Sequence, residues 1–156
     1  MPYVSRLPPE HIRIAPPWRT LDETVRGLVE LLAASGALPA GSEAAATAAV
    51  IARETESSTA LLDIHAGVPH ARLAGLRRSI AALAVSANGL YEAVPTVPIQ
   101  LVALVLSPPA ATADHLSTLT GVATMLRSAT LRIALLAAQD ANEALAALER
   151  HARAVP

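Results

Sequence analysis

SIAALAVS (79–86) and IQLVALVL (99–106) are compact apolar runs bounded by turn signals, and reading both as strands decides the fold. Asn88-Gly89 between them suits a turn. The Pro-flanked stretch Tyr91–Pro98 reads as a connecting loop or a short extra strand. Upstream, His11-Ile12-Arg13-Ile14 alternates as a short strand would, and residues 1–10, rich in Pro, read as an extended N-terminal segment. Thr20-Leu21-Asp22-Glu23 has the form of a capping box. Leu21, Val25, Leu28, Leu31 and Leu32 follow at helical spacing, with Gly36 as the stop. An Ala-rich helix is expected from about Ser42 to about Arg53.

Past Pro108 the pattern is helical again. Thr112 or Asp114 can cap a helix to about Leu126, Ser128 can start another, and Asp140-Ala141-Asn142-Glu143 resembles a further capping box before a last helix ending near Arg150. Strand, two helices, several strands and three helices imply an α/β (α+β) protein. The expected architecture is a three-layer α/β/α sandwich with a mixed central β-sheet, folded as a single domain over 1–156.

Composition narrows the chemistry. The chain has 156 residues, a formal net charge of -1 and no Cys. No global field points to nucleic acid or an anionic membrane, and there is no thiol nucleophile or thiolate metal site. All 12 basic residues are Arg, which removes Schiff-base chemistry and a Walker-type lysine. The N-terminus lacks a signal-peptide apolar region, and Pro or charge breaks every apolar stretch before the ~20 residues a membrane span needs. A cytoplasmic protein without membrane insertion is expected. The Rossmann and Walker glycine patterns, a nucleophile elbow and a His-Glu-x-x-His pair are all missing, so neither a nucleotide cofactor nor a metal is expected.

That leaves five histidines, carboxylates and hydroxyls. His70 stands in Gly67-Val68-Pro69-His70, where Gly and Pro fix the backbone and aim the imidazole. His115, in Asp114-His115-Leu116, sits at the start of the helix that follows the strongest strand, a usual place for α/β sites. His65 suits a strand-edge or rim role, His11 and His151 read as surface residues, and Arg72, Arg77 and Arg78 as a solvated basic cluster or a dock for an acidic partner.

Arg53-Glu54, then Ser58-Thr59, then Gly67-Val68-Pro69-His70 resemble a segment of the mannitol/fructose/nitrogen-type enzyme IIA of the bacterial phosphotransferase system. LYEAVPTVPIQLVALVLSPP (90–109) and Asp114-His115-Leu116-Ser117-Thr118-Leu119 resemble its middle and second histidine motifs, and the likeness spans roughly 11–150. The resemblance implies a phosphoryl carrier of the sugar phosphotransferase system. His70 would accept phosphate from an HPr-like phosphohistidine protein and pass it to an EIIB-like partner. His115 would assist, Arg53 would stabilise the phosphate, and Ser58 and Thr59 would donate to it. A stand-alone regulatory domain that binds a target according to its phosphorylation state is the rival reading. The bulky segment Ala60–His65, where the family is Gly-rich, would alternatively fit a decayed, non-catalytic scaffold.

Overall fold

Both apolar runs are strands, and they lie side by side in the middle of the sheet. In the computed structural model, which describes residues 3–155, the chain opens with two 3-10 turns, Val4–Arg6 and Pro9–His11, and a short strand β1 (Ile12–Ile14). Helices α1 (Leu21–Ala34) and α2 (Glu43–Glu56) come next, then the strand pieces β2 (Ala66–Gly67) and β3 (His70–Arg72). Strand β4 (Ile80–Val85), the hairpin β5 (Tyr91–Val94) and β6 (Val97–Ile99), and β7 (Leu101–Ser107) follow. Helices α3 (Thr112–Leu126), α4 (Ala129–Ala137) and α5 (Ala141–Ala154) complete the chain.

The main sheet has the order β1-β4-β7-β2, with β3 also paired to β7 beyond β2. β4 and β7 are antiparallel, while β1 runs parallel to β4, and β2 and β3 run parallel to β7. The sheet is therefore mixed, as expected. Alternate residues of the two central strands face opposite layers. Ala81, Leu83, Val85, Leu101, Ala103 and Val105 share a core with Val122, Met125, Leu126 and Leu148 of the C-terminal helices. Ala82, Ala84, Val102, Leu104 and Leu106 share another with Val25, Leu28, Leu32 and Val50 of α1 and α2. Strands covered on both faces have no polar side, which is why these stretches are continuous apolar runs.

The capping signals fold as read. Thr20 Oγ accepts the Glu23 amide at 3.0 Å, Ser128 Oγ accepts the Leu131 amide at 3.2 Å, and Asp140 accepts the Glu143 amide at 2.9 Å while the Glu143 carboxylate takes the Gln139 N–H at 2.7 Å. Each such cap stabilises its helix by about 1 kcal/mol. At α3 the expectation is corrected: neither Thr112 nor Asp114 caps it, because the cap position is Ala111 and the Asp114 carboxylate bonds other side chains. α2 continues to Glu56 and α5 to Ala154, each a turn beyond its expected end.

The N-terminal segment is not extended over the described residues. Pro9, with φ already helical, starts a 3-10 turn, and Tyr3 is buried with its hydroxyl donating to Ala82 O at 2.7 Å. His11 is likewise corrected from a surface residue to a buried one, held between Ala81 O (3.0 Å from Nδ1) and Ser35 Oγ (2.6 Å from Nε2).

Gly27 on α1 lies directly against the Trp18 ring, so any Cβ there would overlap it. Gly27→Val should therefore destabilise the protein by about 1–3 kcal/mol, through overpacking and displacement of Trp18. Urea unfolding of the variant checks this, beside Gly121→Ala, where a Cβ meets nothing and the better helix former should raise stability by about 0.5–1 kcal/mol.

Candidate functional site

Two chain features bring the site together. Strand β7 ends at Ser107, and after Pro108-Pro109 helix α3 begins, placing His115 in its second turn. Along the same edge, β2 and β3 pair with β7 in succession and put His70 beside Val105 and Arg72 beside Ser107. Between them Val68-Pro69 interrupts the ladder, and Pro69 O still accepts the Val105 amide at 3.1 Å. Gly67 is required there because a Cβ would stand 2.5 Å from the Tyr91 hydroxyl. Arg53 reaches the site from the last turn of α2.

The result is a cleft lined by Ala49, Arg53, His70, Arg72, His115 and Leu116. The His70 and His115 ring centroids are 5.4 Å apart, and the planes are inclined by 58°. His70 Nδ1 lies 2.9 Å from Val68 O, and Arg53 Nε donates to His70 Nε2 at 2.9 Å. A carbonyl only accepts and a guanidinium only donates, so both contacts demand the same tautomer: Nδ1–H, with the lone pair on Nε2. That lone pair is what an imidazole nucleophile needs, and it already faces the Arg53 guanidinium.

Burial holds the His70 pKa below the usual imidazole value, opposed by the Val68 hydrogen bond and assisted by Arg53. His115, 5% exposed, is held lower still, to about 4, by burial first and then by the charges of Arg72, His70 and Arg53. Both rings are thus neutral near pH 7. In the unfolded chain imidazoles titrate near 6.5, so between pH 6.5 and about 4 the unfolded state binds more protons than the folded one. Stability is full above pH 6.5 and should fall as the pH drops through that window. Denaturation midpoints across this range should show a shallower fall for His115→Asn than for the wild type. Asp63 and Asp114, whose carboxyls are held below their usual value, lose their contribution only at lower pH.

Of the residues singled out in the sequence, His70, His115 and Arg53 come together. Ser58 and Thr59 do not bring their hydroxyls to His70. Thr59 Oγ donates to Glu54 at 2.8 Å and accepts the Val68 amide at 3.1 Å, and Ser58 Oγ is 3.4 Å from the other Glu54 oxygen. Glu54, 7% exposed, also accepts the Thr59 amide at 2.9 Å and so ties the end of α2 to the strand piece before His70. His65 takes the strand-edge role, with Nδ1 2.8 Å from Pro98 O.

Sequence reading missed Glu54 and underrated Arg72. Arg72 is two residues from His70 on β3, hence on the same side, and its Nη1 donates to Pro109 O at 2.7 Å, which latches β3 to the approach to α3. It lines the same cleft as Arg53, so two arginines and the paired histidines share one cleft. Among the described residues no group of three or more His, Asp or Glu is placed to hold a metal ion.

The model of the family "Phosphoenolpyruvate-dependent sugar phosphotransferase system, EIIA 2" matches residues 6–151. The nitrogen regulatory protein IIA-Ntr from Neisseria meningitidis is similar at 26% identity and a TM-score of 0.80, covering 93% of this chain and 97% of that one. The mannitol IIA of Escherichia coli shares the fold at 19% identity and a TM-score of 0.74, covering 91% and 98%. The same holds for Escherichia coli IIA mannitol solved in complex with phosphorylated IIB mannitol, at 18% identity and a TM-score of 0.72, covering 92% and 97%. No curated protein matches the sequence.

Proposed function

The chain belongs to the phosphotransferase system EIIA 2 family, and from that premise we propose that it is a cytoplasmic phosphoryl carrier whose acceptor atom is Nε2 of His70. The observation that carries this reading is the pair of contacts on the His70 ring, which leaves a lone pair on Nε2 beside the Arg53 guanidinium. A phosphohistidine protein of the HPr type is the donor. His70 Nε2 attacks phosphorus, the donor's N–P bond breaks, and its electron pair returns to the donor imidazole. The new positive charge on the His70 ring is eased by the Nδ1–H bond to Val68 O. Arg53 moves from the lone pair onto the equatorial phosphoryl oxygens, with Arg72 lining the same cleft. The reverse chemistry, with an EIIB-like acceptor, discharges the protein. The cleft is open, and Leu116, 57% exposed at its rim, offers an apolar contact for such transient partners.

A second reading has its own support: identity is 26% to the nitrogen regulatory protein against 19% to the mannitol protein. In that reading the phosphate is a signal, and a target binds one phosphorylation state in preference to the other. Incubation with phosphorylated HPr-type protein, followed by an EIIB-type acceptor, separates the two. Charging and then discharge to the acceptor supports transport. Charging without discharge supports regulation. No charging on a folded protein overturns both in favour of the decayed scaffold.

A further inference from the structure

His115 Nδ1 lies 2.7 Å from Ser107 Oγ, Ser107 Oγ is 2.9 Å from Ser79 Oγ, and Ser79 Oγ is 2.6 Å from Asp114 Oδ2. The far end is closed by Arg6, whose Nη2 donates to Asp114 Oδ1 at 2.9 Å and whose Nη1 donates to Thr118 Oγ at 3.0 Å. Ser79, Ser107 and His115 are all buried. Each serine has one hydroxyl hydrogen, and that fixes the direction of the whole chain. Asp114, paired with Arg6, is a carboxylate and only accepts, so Ser79 must donate to it. Ser107 must then donate to Ser79. With its only hydrogen so used, Ser107 can meet His115 only as an acceptor, and His115 must carry its proton on Nδ1. Its Nε2 has no hydrogen-bond partner among the described residues and is the ring nitrogen left for the cleft it lines.

We infer that Ser107, Ser79 and Asp114 are positioning residues that hold His115 as the Nδ1–H tautomer, keeping Nε2 as a proton acceptor until a phosphoryl group stands on His70. This rests on the carrier reading for its timing, though the tautomer does not. In the resting site Arg53 from α2, Arg72 and His70 from β3 oppose a charge on His115, and Asp114 on its own helix favours one. A phosphoryl group brings nearly two negative charges into the cleft and reverses that balance. Nε2 then takes a proton from solvent and donates it as a hydrogen bond to a phosphoryl oxygen, while Nδ1–H keeps its bond to Ser107. The relay carries the imidazolium charge towards Asp114. On discharge the proton returns to solvent.

The experiment is 15N-edited NMR of the histidine rings, with the rate of charging by a phosphorylated HPr-type protein measured alongside on wild type, Ser107→Ala, Ser79→Ala and Ser107→Thr. Wild-type His115 should show the Nδ1–H pattern, shifting to the doubly protonated pattern once His70 is phosphorylated. Ser107→Ala should populate the Nε2–H form and charge about tenfold more slowly, a fraction of what a placed acid contributes. Ser79→Ala should act in the same direction, and Ser107→Thr, which keeps the hydroxyl, should restore both readouts. An Nε2–H pattern in the wild type, or a Ser107→Ala ring indistinguishable from it, would overturn the relay even if His70 charges normally. If the tautomer is as stated and no phosphate reaches His70, the relay stands as a structural device and the carrier reading falls.

Discussion

His70→Ala is expected to carry no acid-labile phosphate after incubation with a phosphorylated HPr-type donor, while remaining folded. Three of the other histidines are placed differently. Both ring nitrogens of buried His11 are bonded, to Ala81 O and Ser35 Oγ. His65 is turned to Pro98 O on the strand edge, and His115 is buried with Nδ1 on Ser107. Among the described residues, only His70 has a ring nitrogen that accepts a hydrogen bond from an arginine side chain. The substitution costs little structurally, because β3 is held to β7 by backbone pairing at Val105 and the side chain is only half-buried. Loss of the bond to Val68 O should lower stability by no more than about 1 kcal/mol. Labelled phosphate retained by the alanine variant would place the acceptor elsewhere.

The second large effect is expected at Arg53. Removing one preorganised donor to a developing anion slows catalysis by about 10²–10³-fold, and Arg53→Ala should slow charging of His70 by that order. Arg53 is exposed and, among the described residues, its side chain's hydrogen-bond partner is His70, so thermal unfolding should hardly change. Lysine should recover part of the rate, since it restores the charge without the guanidinium's fixed fork. Charging at the wild-type rate in Arg53→Ala would assign the phosphate to Arg72 and the backbone amides. A large drop in stability would mean that the arginine is structural.

The fold was legible because its two decisive strands are covered on both faces and are apolar from Ile80 to Val85 and from Leu101 to Leu106. Helix starts were legible for a similar reason: Thr20, Ser128 and Asp140 each satisfy a backbone amide within three residues, a purely local event. The N-terminal turns were not legible. Tyr3 and Leu7 are buried by β4 and the C-terminal helices, elements far along the chain, and nothing in a Pro-rich segment announces that contact. His11 hides for the same reason, since its partners Ala81 and Ser35 are distant in sequence.

At the site, His70, Arg53 and His115 were legible as residues, but their roles depend on which ring nitrogen each partner occupies. Ser58 and Thr59 show the opposite limit. Their spacing allows a phosphate contact, and the deciding fact is a three-dimensional one: Glu54 is buried directly beneath them and takes their hydroxyls. Ser79, Ser107 and Asp114 are spread over β4's approach, the end of β7 and the first turn of α3, and only the sheet brings them into line.

The central claim is that the phosphoryl group forms its bond to Nε2 of His70 while Nδ1 keeps its hydrogen for Val68 O. Phosphorus-coupled 1H–15N NMR of the charged protein reads this directly. A phosphorus coupling on Nε2 with a protonated Nδ1 is the result the account predicts; phosphate on Nδ1 of His70, or on His115, would contradict it.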